Sequence, residues 1–127
     1  MNNGHKNLRV LVLEDQLVVA EDLKMQLEDN GHKVCGSVMK TSDAVQICVG
    51  QRPDLIIIDE GLKGEPNAIE AALKLREVHL CPIIFLITSR RLPRNHFSRF
   101  SHKYVLNKPF SAEEFHNVLQ NISRAAI

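Results

Sequence analysis

No apolar run in the chain approaches the roughly 18 residues that a membrane-spanning helix needs. The opening Met1-Asn2-Asn3-Gly4-His5-Lys6 also lacks the apolar stretch of a secretory signal. Both absences point to a cytoplasmic protein. Cysteine is scarce: Cys35, Cys48 and Cys81 are odd in number, widely separated and embedded in apolar segments. With no Cys-x-x-Cys or paired Cys/His spacing they build no zinc site, and they read as small buried hydrophobes in a reducing compartment. Charge of either sign is not in excess, since 16 Lys+Arg against 15 Asp+Glu leave a formal +1. That balance favours neither nucleic acid nor a membrane surface as a partner. Internal repeats, low-complexity tracts and linkers are missing too, so residues 1–127 are expected to be one domain, long enough for one sizeable core.

What the chain does contain is a set of short apolar runs, each followed directly by polar residues. Val10-Leu11-Val12-Leu13 precedes Glu14-Asp15, and Leu55-Ile56-Ile57-Ile58 precedes Asp59. Ile83-Ile84-Phe85-Leu86-Ile87 precedes Thr88, and Tyr104-Val105-Leu106-Asn107 precedes Lys108. Continuous apolar runs of this length suit parallel strands covered by helices on both faces, and ligands of such sheets gather at the strands' carboxyl ends. Carboxylates, a hydroxyl and an ammonium are therefore expected on one rim.

Helical patterns alternate with these runs. Leu17, Ala20, Leu23 and Leu27 share one face, and Asn30-Gly31 supplies a stop. Val34 to Val38 reads as the second strand. Thr41 or Ser42 is expected to cap a helix carrying Ala44, Val45 and Cys48, which Gly50 and Pro53 end. A polar loop from Glu60 to Asn67 leads to a helix with Ile69, Ala72, Leu73 and Arg76 on one side, and Pro82 opens the next strand. Ser111-Ala112-Glu113-Glu114 is a capping-box pattern, followed by Phe115, Val118, Leu119 and Ile122 on one face. Strand-helix alternation of this kind means a parallel sheet with right-handed crossovers. The least regular element is expected in residues 89–103, as a short helix opening near Pro93 and burying Phe97 and Phe100.

Each polar motif has a structural reading when taken alone: Glu-Asp after a strand is commonly a solvated turn, a lone Asp a cap, and Lys-Pro-Phe the start of a helix. Their joint occurrence in this order, each at a strand terminus, points to chemistry. Carboxylates crowded on one rim repel one another, and a divalent cation and an ammonium are the means of holding them ionised. Oxygen ligands of this type suit a magnesium-like hard ion, which keeps several waters and often contacts phosphate. A lysine and a hydroxyl opposite that ion would hold the remaining oxygens of a phosphoryl group carried on a carboxylate.

Val12-Leu13-Glu14-Asp15, Asp54 to Asp59, Phe85-Leu86-Ile87-Thr88-Ser89 and Asn107-Lys108-Pro109-Phe110 together resemble the receiver domain of response regulators in bacterial two-component signalling. The resemblance covers residues 8–123 or so. It implies an α/β, doubly wound, five-stranded parallel sheet of flavodoxin-like order 2-1-3-4-5. By it, Asp59 matches the phosphoacceptor, Asp15 a direct Mg²⁺ ligand, and Glu14 an acid acting on the metal through water. Gly61 matches the backbone-carbonyl ligand, Thr88 the switch hydroxyl and Lys108 the phosphate-sensing lysine. Leu62-Lys63-Gly64 with Ala68-Ile69-Glu70 resembles the subgroup whose third loop is one residue longer than in chemotaxis-type receivers.

The chain departs from the family pattern where Val105 replaces the aromatic three residues before the lysine, with Tyr104 one residue earlier. Lys63 replaces a common proline, and Asn67-Ala68 stands where Asp-Gly is usual. Thr88 and Lys108 also lie about two residues closer than in chemotaxis-type receivers, consistent with a shortened fourth helix. The switch is accordingly expected to run through Thr88 and residues 89–103 rather than through ring rotation of Tyr104. Between Glu77 and Glu113 there is no acidic residue, whereas Arg90, Arg91, Arg94, Arg99, Lys103 and Lys108 are basic; this segment reads either as a steering surface for an acidic downstream protein or as a solvated loop.

The expected function is to take a phosphoryl group from a histidine kinase or histidine phosphotransfer protein onto Asp59 and to signal by conformational change. By the resemblance it is expected to be a signalling receiver rather than an enzyme, although one that assists its own phosphorylation and dephosphorylation. With nothing following Ile127 it is expected to act alone. The alternatives are a receiver cut from a larger regulator with a DNA-binding or enzymatic output domain, and an Asp-nucleophile phosphatase or phosphotransferase. Against the last, Gly61 stands where haloacid-dehalogenase-type enzymes carry a second Asp.

Overall fold

All the apolar runs become strands. The structure, a computed structural model, describes residues 6–62, 67–88 and 100–126. The elements run β1 (Arg9–Leu13), α1 (Leu17–Asp29), β2 (Lys33–Val38), α2 (Thr41–Gln51), β3 (Leu55–Asp59), α3 (Ala68–Val78), β4 (Ile83–Ile87), β5 (Lys103–Asn107) and α4 (Ala112–Ala125). The five strands are parallel and ordered β2-β1-β3-β4-β5, as expected. Every residue of β3 and β4 is buried, which explains their unbroken apolar sequence. Among the described residues no helix is long and apolar enough to cross a membrane.

Strand alternation divides the core into two layers. Leu11, Leu13, Ile56, Ile58, Ile83 and Phe85 meet Ala44 and Cys48 of α2 and Ala71, Ala72 and Leu75 of α3. On the other face Val10, Val12, Leu55, Ile57, Ile84 and Leu86 meet Leu23 and Leu27 of α1 and Phe115, Leu119 and Ile122 of α4. Tyr104 packs with the second layer and Val105 with the first, opposite sides of β5 as the pleat requires.

Local departures from the sequence expectations have local causes. In α1 the buried stripe is Ala20, Leu23 and Leu27, while Leu17, in the first turn by the strands' carboxyl ends, is 73% exposed. In α3 the small Ala68, Ala71 and Ala72 face inward with Leu75, so Leu73 is turned to the exposed side. Lys40, not Thr41 or Ser42, occupies the N-cap of α2 without a side-chain cap bond, and Thr41 is already helical. The helix runs through Gly50, and Arg52 ends it in the left-handed region at φ 49° before Pro53. Ser111 and Glu114 form the expected capping box, and Asn67 with Glu70 forms a second that starts α3. Among the cysteines, Cys48 and Cys81 are buried and Cys35 is half-buried, and all are free thiols.

Phe100 is buried against Phe85, ring centroids 5.4 Å apart, with the Arg76 guanidinium 5.9 Å from its own ring centroid. The expected short helix, Phe97 and the basic residues Arg90, Arg91, Arg94 and Arg99 lie outside the described residues, as does Lys63.

Candidate functional site

β1 lies between β2 and β3, so the chain winds away from β1 in both directions and leaves a crevice at the carboxyl ends of β1 and β3. The backbone ladder carries the functional residues one step past their strands. Glu14 N–H donates to Val38 C=O at 3.0 Å, Glu60 N–H to Leu86 C=O at 2.8 Å, and Lys108 N–H to Ile87 C=O at 2.7 Å. Their side chains thus project from a rigid edge.

Asp59, the last residue of β3, is 2% exposed. Both of its carboxylate oxygens are held: the Lys108 ammonium donates to Oδ2, and Gly61 N–H donates to Oδ1 at 2.7 Å. A Cβ on Gly61 would stand 3.1 Å from that oxygen, closer than ordinary contacts allow, so glycine leaves the carboxylate room. Lys108 is joined to Pro109 by a cis peptide bond, and Phe110 beyond it packs on Phe115 of α4 at 5.4 Å between ring centroids. A groove of about 350 Å³ lies beside the rim, lined by Val19, Asp22 and Gln26 of α1 together with Thr88, Lys108 and Phe110.

Glu14 is 3% exposed and faces Asp59. Burial first, then hydrogen bonding to and repulsion by Asp59, push its carboxyl up to about 8, against the pull of Gln16 N–H and Lys108. Burial also raises Asp59, yet hydrogen bonds from Glu14, Lys108 and the Gly61 N–H outweigh it and bring Asp59 below the ordinary range. One proton is thus shared unequally by the pair, with Asp59 the anion. Glu14 Oε2 accepts from Gln16 N–H at 3.2 Å, whereas no N–H or hydroxyl donor of the described residues reaches the buried Oε1.

This donor set fits a hard divalent cation. Carboxyl oxygens of Glu14, Asp15 and Asp59 and the Gly61 carbonyl are the oxygen-only ligands such ions take, and a buried carboxyl forced to keep its proton beside an anion is the situation a cation relieves. Among the described residues there is no group of three His, Cys, Asp or Glu side chains placed to hold a metal ion by themselves. An ion that retains much of its water does not need one.

Thr88, directly after β4, is exposed, and its donors go to a residue the sequence reading did not single out. Glu60 Oε1 accepts both the Thr88 N–H at 2.7 Å and the Thr88 hydroxyl at 2.9 Å. The signal available was an acidic residue next to Asp59, although nothing in sequence spacing joins it to Thr88. The rim thus brings Glu14, Asp59, Gly61 and Lys108 together, sets the half-buried Asp15 next to Glu14, and ties Thr88 to Glu60.

Comparison with known proteins agrees with this fold. The family model of the response regulator receiver domain matches residues 10–120. The transcriptional regulatory protein PdtaR of Mycobacterium tuberculosis is 28% identical over 108 residues, which cover 84% of this chain and 52% of that protein. The phyllosphere-induced regulator PhyR of Methylorubrum extorquens is 32% identical over 78 residues, 61% of this chain and 29% of that one. The chain therefore spans about half, or less, of the length of these relatives. Among solved structures, the signal receiver domain of a modulated diguanylate cyclase from Desulfovibrio desulfuricans superposes with a TM-score of 0.82 at 27% identity, covering 95% of this chain and 97% of that one. A CheY-like receiver domain from Methylobacillus flagellatus shares the fold, with a TM-score of 0.80 at 22% identity over 92% and 99% of the two chains. Strand order and the family match coincide, and the chain belongs to the response regulator receiver domain family.

Proposed function

We propose that Asp59 accepts a phosphoryl group from a phosphohistidine of a histidine kinase or histidine phosphotransfer protein, and that the resulting change in the rim is the signal. The observation that carries this reading is the setting of Asp59: buried, and held at both oxygens by Lys108 and the Gly61 N–H. A carboxylate oxygen of Asp59 attacks phosphorus in line; the new P–O bond forms as the P–N bond breaks, and its electron pair stays with the leaving imidazole. Lys108 is placed to keep the nucleophile oriented and to balance charge as it spreads over the phosphoryl oxygens. Magnesium, held by Asp15, Asp59 and the Gly61 carbonyl, with Glu14 acting through water, would supply charge neutralisation for the same oxygens. Water later cleaves the acyl phosphate, so the protein assists its own phosphorylation and dephosphorylation without turning over a separate substrate.

A second reading, that this receiver is one part of a longer regulator with an output domain, is supported by the match covering only 52% of PdtaR. The stop codon of the gene decides it. In either case the cytoplasm is where such phosphohistidine partners are met. The basic residues 90–99, with Lys103, are a candidate surface for an acidic downstream protein, tested by the salt dependence of binding after charge reversal at Arg90, Arg91 and Arg94.

Incubation with acetyl phosphate and magnesium tests the central claim. One hydroxylamine-labile phosphate per chain is expected, and Asp59→Asn is expected to abolish it. Undiminished labelling of that variant would overturn the assignment.

A further inference from the structure

In the resting protein both groups that would sense a phosphoryl oxygen are already engaged. Lys108 is held by Asp59 itself, which is where the group arrives. Thr88 is held elsewhere: Glu60 Oε1 accepts its amide proton at 2.7 Å and its hydroxyl proton at 2.9 Å. The Glu60 N–H is in turn tied to Leu86 C=O at 2.8 Å, so the carboxylate is anchored across β3 and β4 and fastens the residue that follows β4. A hydroxyl has one proton to donate. The Thr88 hydroxyl therefore cannot donate to Glu60 and to a phosphoryl oxygen on Asp59 at the same time, and Glu60, one residue from that anion, is repelled by it.

We propose that Glu60 is a positioning residue that latches Thr88 in the resting arrangement, an internal acceptor that a phosphoryl group on Asp59 has to displace. The inference rests on the reading of Asp59 given above. Its consequence is thermodynamic. The latch stabilises the unphosphorylated arrangement alone, so it reduces the population that is ready for the phosphoryl group and weakens the apparent affinity for any phosphoryl mimic by that fraction. Removing a charge-assisted acceptor near the surface is expected to shift that affinity about tenfold.

The test is titration of the full chain with beryllium fluoride, a tetrahedral phosphoryl mimic, in magnesium, followed by backbone amide spectra. In Glu60→Ala the Thr88 amide is expected to move, before any ligand is added, toward its position in the liganded wild type, and beryllium fluoride is expected to bind about tenfold more tightly. Glu60→Gln, which keeps an acceptor without the charge, is expected to fall between. In a Thr88→Ala background Glu60→Ala is expected to bring no gain, because the coupling between the two residues is then gone. A merely structural Glu60 would show lost dispersion or a lower melting temperature, with no Thr88-dependent gain. Equal or weaker binding by Glu60→Ala, or a gain that persists without the Thr88 hydroxyl, overturns the latch and leaves the Asp59 reading standing. Failure of the wild type to take beryllium fluoride at Asp59 overturns that reading and the latch with it, a result visible before Glu60 is touched.

Discussion

Two aspartates bracket β3, and they are bonded almost alike. Asp54, just before the strand, receives the Lys6 ammonium at 2.8 Å and the Arg9 N–H at 2.9 Å; Asp59, at its end, receives the Lys108 ammonium and the Gly61 N–H at 2.7 Å. Each carboxylate has one cation and one backbone donor, and each is held below the ordinary carboxylate range. In both, burial pushes upward first and the hydrogen bonds outweigh it. The differences are what surrounds them: the Asp54 side chain is 20% exposed and clasped to a lysine side chain that is itself 43% exposed, whereas the Asp59 side chain is 3% exposed and faces the Glu14 carboxyl. The same bonding is a clasp at the amino end of the sheet and, at the carboxyl end, holds the carboxylate proposed above as the phosphoacceptor. What separates them is the second carboxyl, that of Glu14, set against Asp59, and the near-exclusion of water around it.

The comparison breaks most sharply at the aspartates themselves. Asp59→Asn is expected to lose all acetyl-phosphate labelling, while Asp54→Asn keeps the wild-type stoichiometry; equal loss in both would mean that the two ends are not distinct. Next in size are their cations. Lys108→Ala is expected to slow labelling by about a hundredfold, the scale for removing one preorganised donor, whereas Lys6→Ala leaves the rate unchanged, which stopped-flow labelling would resolve.

The pH dependence should have opposite signs at the two ends. Glu14 is raised from 4.5 to about 8 in the folded protein, so the folded state holds a proton there that the unfolded chain gives up. In magnesium-free buffer stability is therefore expected to fall as pH rises between those values, and Glu14→Gln to flatten the decline in melting temperature. Asp54 is lowered from 3.8, so its contribution is present above that value and is lost as pH falls through the lower folded one. Asp54→Asn is accordingly expected to cost about 1–2 kcal/mol at neutral pH. The cost should disappear in strongly acidic buffer, as denaturant titrations at several pH values would show. A slope of the same sign at both ends would contradict the assigned environments.

Much of this was legible in the chain. Burial on both faces leaves no room for polar residues inside β3 and β4, so these strands announced themselves as continuous apolar runs, and the polar residues ending them had to stand on the rim. The capping box of Ser111 with Glu114 was readable because it is local, a matter of residues three apart. The second box, Asn67 with Glu70, has the same local signature, at the end of the polar loop that precedes α3. Which side of α3 turns inward was not legible. The sequence pattern puts Ile69, Ala72, Leu73 and Arg76 on one side, while the sheet is met by Leu75 and by the small Ala68, Ala71 and Ala72, which allow a close approach.

Sequence alone, then, determined the parallel doubly wound sheet and the residues standing at its carboxyl edge, because covered strands and their termini write themselves into the period of the chain. Tertiary structure decided how those edge residues are paired. That Glu14 faces Asp59, that Glu60 takes both donors of Thr88 28 positions away, and that Lys6 clasps Asp54 across 48 positions all follow from strand order and register. Those relations lie between segments, and no spacing along the chain encodes them, because which carboxylate shares a proton and which is clasped depends on burial and on charges that only the folded sheet brings together.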